Sequence, residues 1–123
     1  MKFTNYKMML HIQKMEAFLN RTDLIGYACA VNTNKFKTVL EPFYQMRDNM
    51  IEQYGTEEKD ENGNPTGRAI IPIDSPNFNT FKEEFDKLGK IEHDVDIYTI
   101  PSATVIDKLS GEDVLSIIWM LED

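Results

Sequence analysis

The stretch FKTVLEPFYQMRDNM, residues 36–50, decides how the chain is organised. Phe36, Val39, Phe43, Met46 and Met50 recur at spacings of three, four, three and four, the pattern of one buried helical face. Pro42 falls in the middle of it. A proline inside a helix removes one hydrogen bond, and its ring crowds the carbonyl four residues back, here that of Thr38. Either one helix kinks at Glu41-Pro42, or two helices meet there with Pro42 in the first turn of the second. The apolar spacing crosses Pro42 without a slip, which favours a single kinked helix from about Leu24 to Tyr54, closed by Gly55.

Upstream, Met8, Ile12, Met15 and Leu19 repeat at four, three and four and predict a first helix over residues 5–20, capped by Thr4 or Asn5. Asn20-Arg21-Thr22-Asp23 breaks it and offers Thr22 or Asp23 as the next cap. The heptad-like seam of the long helix suits packing along the first one as an antiparallel hairpin. Downstream, EEKDENGNPTGR (57–68) reads as an exposed corner. Pro72 restricts the apolar run 69–73 to an edge strand or to no strand. Ser75-Pro76 opens a helix marked by Phe78, Phe81, Phe85 and Leu88 and closed by Gly89. Residues 94–100 (DVDIYTI) are β-like, and 103–106 (ATVI) suggest another strand. Ser110-Gly111-Glu112-Asp113 resembles a capping box, opening a last helix with Val114, Ile117, Ile118 and Leu121 on its core face. The expected fold is α+β and mostly α, in one domain. A helical hairpin (1–55) leads through an exposed turn (56–68) into an acidic part with short strands and two further helices (69–123).

The 123 residues suffice for one core. A single cysteine, Cys29, excludes an intramolecular disulfide. No apolar run approaches the roughly 20 residues needed to cross a bilayer, and the lysine-bearing start MKFTNYKMMLHIQK lacks the apolar block of a signal peptide. The net charge of −8 is unevenly placed: residues 1–55 carry five acids against seven bases, and residues 56–123 sixteen acids against six. Nucleic-acid binding draws on positive charge to displace counterions, so direct binding to nucleic acid is not expected of the second half. The acids either keep the domain soluble or meet a basic partner.

Candidate chemical sites are few. Asp60, Asn62 and Asn64 fit positions one, three and five of a calcium loop, but Pro65 replaces the glycine at six and Ile71 the glutamate at twelve. Asn62-Gly63 is better read as a turn. On a strand, His93 faces away from Asp94 and Asp96, so the three do not form a ligand set. His11 lies between Leu10 and Ile12, at the edge of a helical interface, and Cys29 reads as a small buried hydrophobe. No phosphate loop, dinucleotide fingerprint, zinc motif or nucleophile constellation occurs, so no catalytic residue, metal or cofactor is expected. The apolar surplus points elsewhere. VLSIIWML (114–121) carries Leu115, Trp119 and Met120 beyond its core face, and Phe43 and Tyr44 add aromatic surface to the long helix. A helix apolar all round is either central or meets a partner, and for Trp119 both readings stand: it closes the core or it contacts a partner.

The succession NTNKFKTVLEPFYQMRDNMIEQYG, KDENGNP and NFNTFKEEFDKLGKIEHDVDI resembles a family of small bacteriophage and prophage proteins classed as domain of unknown function 1617. Leu40-Glu41-Pro42, Tyr54-Gly55, Lys59 to Gly63 and Phe81 to Ile97 carry the likeness, over roughly residues 30–100. The Met-rich first helix and residues 68–75 have no counterpart in that pattern. The resemblance implies a phage origin and a non-enzymatic accessory or structural role, in the host bacterial cytoplasm or in the virion. The partner expected is a protein of phage or host, or a second copy of the chain, through Phe43, Tyr44, Leu115, Trp119 and Met120. The alternative is an acidic inhibitor of a host nucleic-acid-binding defence protein, using Glu83, Glu84, Asp86, Glu92, Asp94 and Asp96; a weaker one is an enzyme of unknown class, which would need a pocket holding His93 or His11 beside carboxylates.

Overall fold

A computed structural model describes all of residues 1–123. The long helix α2 (Leu24–Tyr54) runs through Pro42 unbroken, as the uninterrupted apolar spacing requires. The chain nevertheless divides into two compact units at the Leu40/Glu41 step, next to that proline. One unit joins residues 1–40 to residues 92–123, and the other comprises residues 41–91. The expected partition at residues 55 and 68 therefore does not follow the packing. Those bounds follow the helix stop at Gly55 and the polar turn after it, and where a helix ends does not report which segments share a core.

In the first unit, β1 (Lys2–Thr4) leads directly into α1 (Asn5–Met15), whose start is capped by Thr4 accepting from the Lys7 amide at 3.0 Å. A 3-10 turn (Glu16–Phe18) follows, and this changes which residue is buried. At three residues per turn, the position after Met15 on the inner face is Phe18, so Phe18 is buried and Leu19 points outward. Asp23 caps α2, accepting from the Gly26 amide, and holds Arg21 in a two-point ion pair with its shortest contact at 2.6 Å. The Arg21 guanidinium keeps the Asp23 carboxyl down at about 2. Gly26 cannot be replaced without a shift, because a Cβ there would lie 2.2 Å from the Arg21 carbonyl oxygen. The helices α1 and α2 run antiparallel: Thr33 meets Met15 at 3.7 Å, and one turn further along α2 Phe36 stacks on His11, one turn back on α1.

The rest of this unit covers the hairpin. β4 (Glu92–Asp94) pairs antiparallel with β1 in the register Phe3↔His93. Residues 95–99 belong to no strand, although Val95 still exchanges backbone hydrogen bonds with Met1, and then β5 (Ile100–Pro101) pairs in parallel with β6 (Leu121–Glu122). Between these come a 3-10 turn (Ser102–Val105), α4 (Gly111–Ile117) and another 3-10 turn (Ile118–Met120). Ser110 caps α4, accepting from the Asp113 amide at 3.1 Å, which is the serine's half of the expected capping box. Residues 103–106 are not a strand: no free strand edge meets them, and the tight turn carries Val105 into the core instead.

In the second unit the end of α2 packs on α3 (Pro76–Gly89), with Phe43 and Phe85 stacked at 4.8 Å. Ser75 caps α3 and Pro76 occupies its first turn. The EEKDENGNPTGR stretch does more than turn a corner. It contributes β2 (Thr56–Lys59) and much of β3 (Pro65–Ile70), an antiparallel hairpin in the register Thr56↔Ile70. Nearly every residue of both strands is exposed, so no hydrophobic alternation announced them. Asp60 accepts from the Asn62 and Asn64 amides at 2.9 Å, and Gly63 takes φ +79°, so the acidic and amide residues at alternating positions serve the turn itself.

Candidate functional site

The residues singled out for a partner separate into two groups once their surroundings are known. Met120 is fully enclosed and Phe43 nearly so, and both serve packing within their own units. Trp119 lies 4.5 Å from His11, 5.4 Å from Phe36 and 5.6 Å from Phe3, ring centre to ring centre, so it closes the core of the first unit. Tyr44 is half-buried beside Phe43, with Arg47 over its ring at 4.9 Å. Of the expected set only Leu115 is broadly exposed, at 67%.

The reason is a change of period. Placing Val114, Ile117, Ile118 and Leu121 on one face assumes an α-helix to residue 121. The helix ends at Ile117, and the three-residue turn that follows puts Met120, not Leu121, beneath Ile117. Ile118 is thereby turned outward, 55% exposed. It joins Val105, Ile106, Leu109, Val114 and Leu121 in lining a shallow groove of about 530 Å³, whose wall opposite α4 is the turn 105–109. That turn is fixed by the Lys108 and Leu109 amides donating to the Val105 carbonyl, with Asp107 in the left-handed region at φ +64°. Ile106 is 64% exposed on it. The groove is therefore an apolar surface beside a hydrogen-bonded turn. None of its lining residues is among the expected partner-binding residues: Val105 and Ile106 read as part of a strand, and Val114, Ile118 and Leu121 as the core face of the last helix.

The acids of the alternative set divide between the units: Glu83, Glu84 and Asp86 lie on α3 of one, Glu92, Asp94 and Asp96 on residues 92–96 of the other. Glu84 accepts from the Tyr54 hydroxyl at 3.1 Å, and Asp94 accepts from the Met1 ammonium at 2.9 Å, which holds its carboxyl below the ordinary value. No group of three or more His, Cys, Asp or Glu side chains is placed to hold a metal ion. Cys29 is buried, and burial pushes its thiol up to about 11, away from the thiolate that nucleophilic chemistry requires.

His11 is a second titratable group buried in the first unit, and its Nδ1 has no hydrogen-bond partner. Burial, helped by the Lys7 and Lys14 ammonium groups one turn to either side, holds its pKa down at about 4, against an ordinary 6.5. Between those values the unfolded chain binds a proton that the folded chain does not. Stability therefore falls as pH falls through this window, by a total of about 3 kcal/mol, and is unaffected by His11 above it. Urea unfolding followed by the fluorescence of Trp119, the only tryptophan, measures this. His11→Phe is expected to flatten the slope between about pH 6.5 and pH 4; a variant with the wild-type slope would place the titration elsewhere.

No family model matches the chain, and no curated protein or solved structure is significantly similar to it. No helix is long and apolar enough to cross a membrane.

Proposed function

We propose that this chain is a non-enzymatic, phage-encoded protein that acts by protein contact, as a virion or assembly component or as an accessory factor in the host cytoplasm. The observation that carries the reading is the groove, where Ile106 and Ile118 keep more than half their surface in water on a base built by the aromatic core. Apolar side chains displayed on a rigid, well-packed support are the anatomy of an interface centre. The phage origin rests on the family resemblance over residues 30–100. The acidic-inhibitor alternative draws less support, since Glu84 and Asp94 are engaged within their own units. The test compares tagged wild type with Ile118→Asp in affinity capture from infected bacterial cells, with quantification of what each retains. A partner held by wild type and lost by the variant is the expected result. A strictly monomeric wild type that retains nothing, or a partner held equally by both, would end this reading.

A further inference from the structure

Resting on that reading, we propose that the occupant of the groove is a cationic amphipathic segment of a protein partner, with apolar side chains seated between α4 and the 105–109 turn and lysine or arginine at its flanks. The floor is apolar: Val105, Ile106, Leu109, Val114, Ile118 and Leu121. The rim is acidic. Asp123 lines the groove itself, and Asp107, Glu112, Asp113 and Glu122 are the immediate chain neighbours of lining residues. Against these five carboxylates, residues 102–123 hold one base, Lys108, a balance of −4. Lys108 lies within electrostatic reach of Asp23, and on the other side of the balance Asp113 lies within reach of Arg21 and Glu122 accepts from the Thr99 hydroxyl at 2.8 Å, which leaves Asp107, Glu112 and Asp123 to give the surroundings their sign.

That arrangement selects among occupants. A second copy of the chain would bring the same −4 rim and an overall −8 toward its like, and closely placed like charges oppose association. An anionic lipid surface meets the same repulsion. A segment of opposite charge gains from the rim at both stages: long-range attraction speeds encounter, and the apolar floor then holds what arrives. The division of labour makes a specific forecast. Adding negative charge to the floor strengthens any merely electrostatic attraction, yet it weakens an occupant whose apolar side chains must desolvate there.

The experiment uses fluorescence anisotropy with the full chain and two labelled peptides of about 16 residues, long enough to form a helix when docked. One carries leucine at positions i, i+3, i+4 and i+7 of each repeat and lysine between them, the pattern of an amphipathic helix; the other replaces each lysine with glutamate. The leucine–lysine peptide is expected to bind and the leucine–glutamate peptide not to. Ile118→Asp, and separately Ile106→Asp, are expected to weaken binding about ten-fold or more, although each adds a negative charge. Both side chains are already largely in water, and an unchanged thermal midpoint confirms that each variant is folded. Equal or tighter binding by both aspartate variants would show diffuse charge attraction and overturn the site. Equal binding of both peptides would overturn the cationic class while leaving the protein-contact reading in place. Self-association of the wild type that Ile118→Asp dissolves would assign the groove to a second copy and overturn the proposal, as would failure of either peptide to bind. Failure of the protein-contact reading itself is distinguished by the capture experiment, in which Ile118→Asp retains the wild-type's partner.

Discussion

Replacing Phe36 by alanine is expected to lower the stability of the first unit by about 3–5 kcal/mol, a large part of the 5–15 kcal/mol typical of a domain. Phe36 is fully buried, and its ring meets those of Phe3, His11 and Trp119 with centres 5.0, 6.2 and 5.4 Å away. These partners come from β1, α1 and the turn after α4, so truncation opens a cavity where three segments converge. Fixed backbones on all sides limit how far the gap can close. Urea unfolding read through Trp119 gives the loss directly. Phe36→Leu, which retains most of the volume, is expected to cost less than about 1.5 kcal/mol. The effect also reaches the groove, because Trp119 and Met120 seat the turn that turns Ile118 outward. A cost below about 1 kcal/mol for the alanine variant would mean that the cluster does not hold this core together.

Asn32→Leu is the second large loss, and its origin is polar. Asn32 is fully buried on α2 and behaves as a strand edge in miniature. Its Nδ2 donates to the Tyr98 carbonyl at 2.9 Å, and its Oδ1 accepts from the Tyr98 amide at 2.7 Å. One side chain thus satisfies both backbone groups of Tyr98, which lies outside every strand. Leucine has the branching of asparagine but offers neither contact. Two backbone groups would be left unpaired in partly buried surroundings, at a cost of about 2–4 kcal/mol. Asn32→Asp restores only the acceptor and sets a negative charge against the Tyr98 carbonyl, so it is expected to recover little. Hydrogen exchange at the Tyr98 amide is the direct readout: rapid exchange in the leucine variant, slow in wild type. Slow exchange in both would show that Tyr98 is held by something else.

What the sequence disclosed, and what it hid, follows from period. The long helix was legible because its apolar residues keep a 3.6-residue rhythm across Pro42, and α3 because Ser75-Pro76 is a helix start written in side chains. The mostly helical α+β class was legible from the same signals. The hairpin β2–β3 was not, because its strands bury almost nothing and alternation is silent without a buried face. Both ends of the helical reading failed where an α-helix tightens into a 3-10 turn. After Met15 the inward residue became Phe18 in place of Leu19, and after Ile117 it became Met120 in place of Leu121. The second of these slips decided the site, since it carried Trp119 and Met120 inward and Ile118 outward. His11 was read as an interface edge because a histidine among apolar residues does not announce whether it has a partner. Asn32 gave no sign at all: a buried amide serving a residue 66 positions away has no local pattern.

The central claim is that the chain binds through the groove between α4 and the 105–109 turn. Titrating the leucine–lysine peptide into isotope-labelled protein, with amide chemical shifts followed residue by residue, tests it most directly. The shifts are expected to concentrate at Ile106, Leu109, Val114, Ile118 and Leu121, and to leave α3 unmoved. Shifts centred instead on Glu83, Glu84 and Asp86 would contradict the account and favour the acidic-inhibitor alternative.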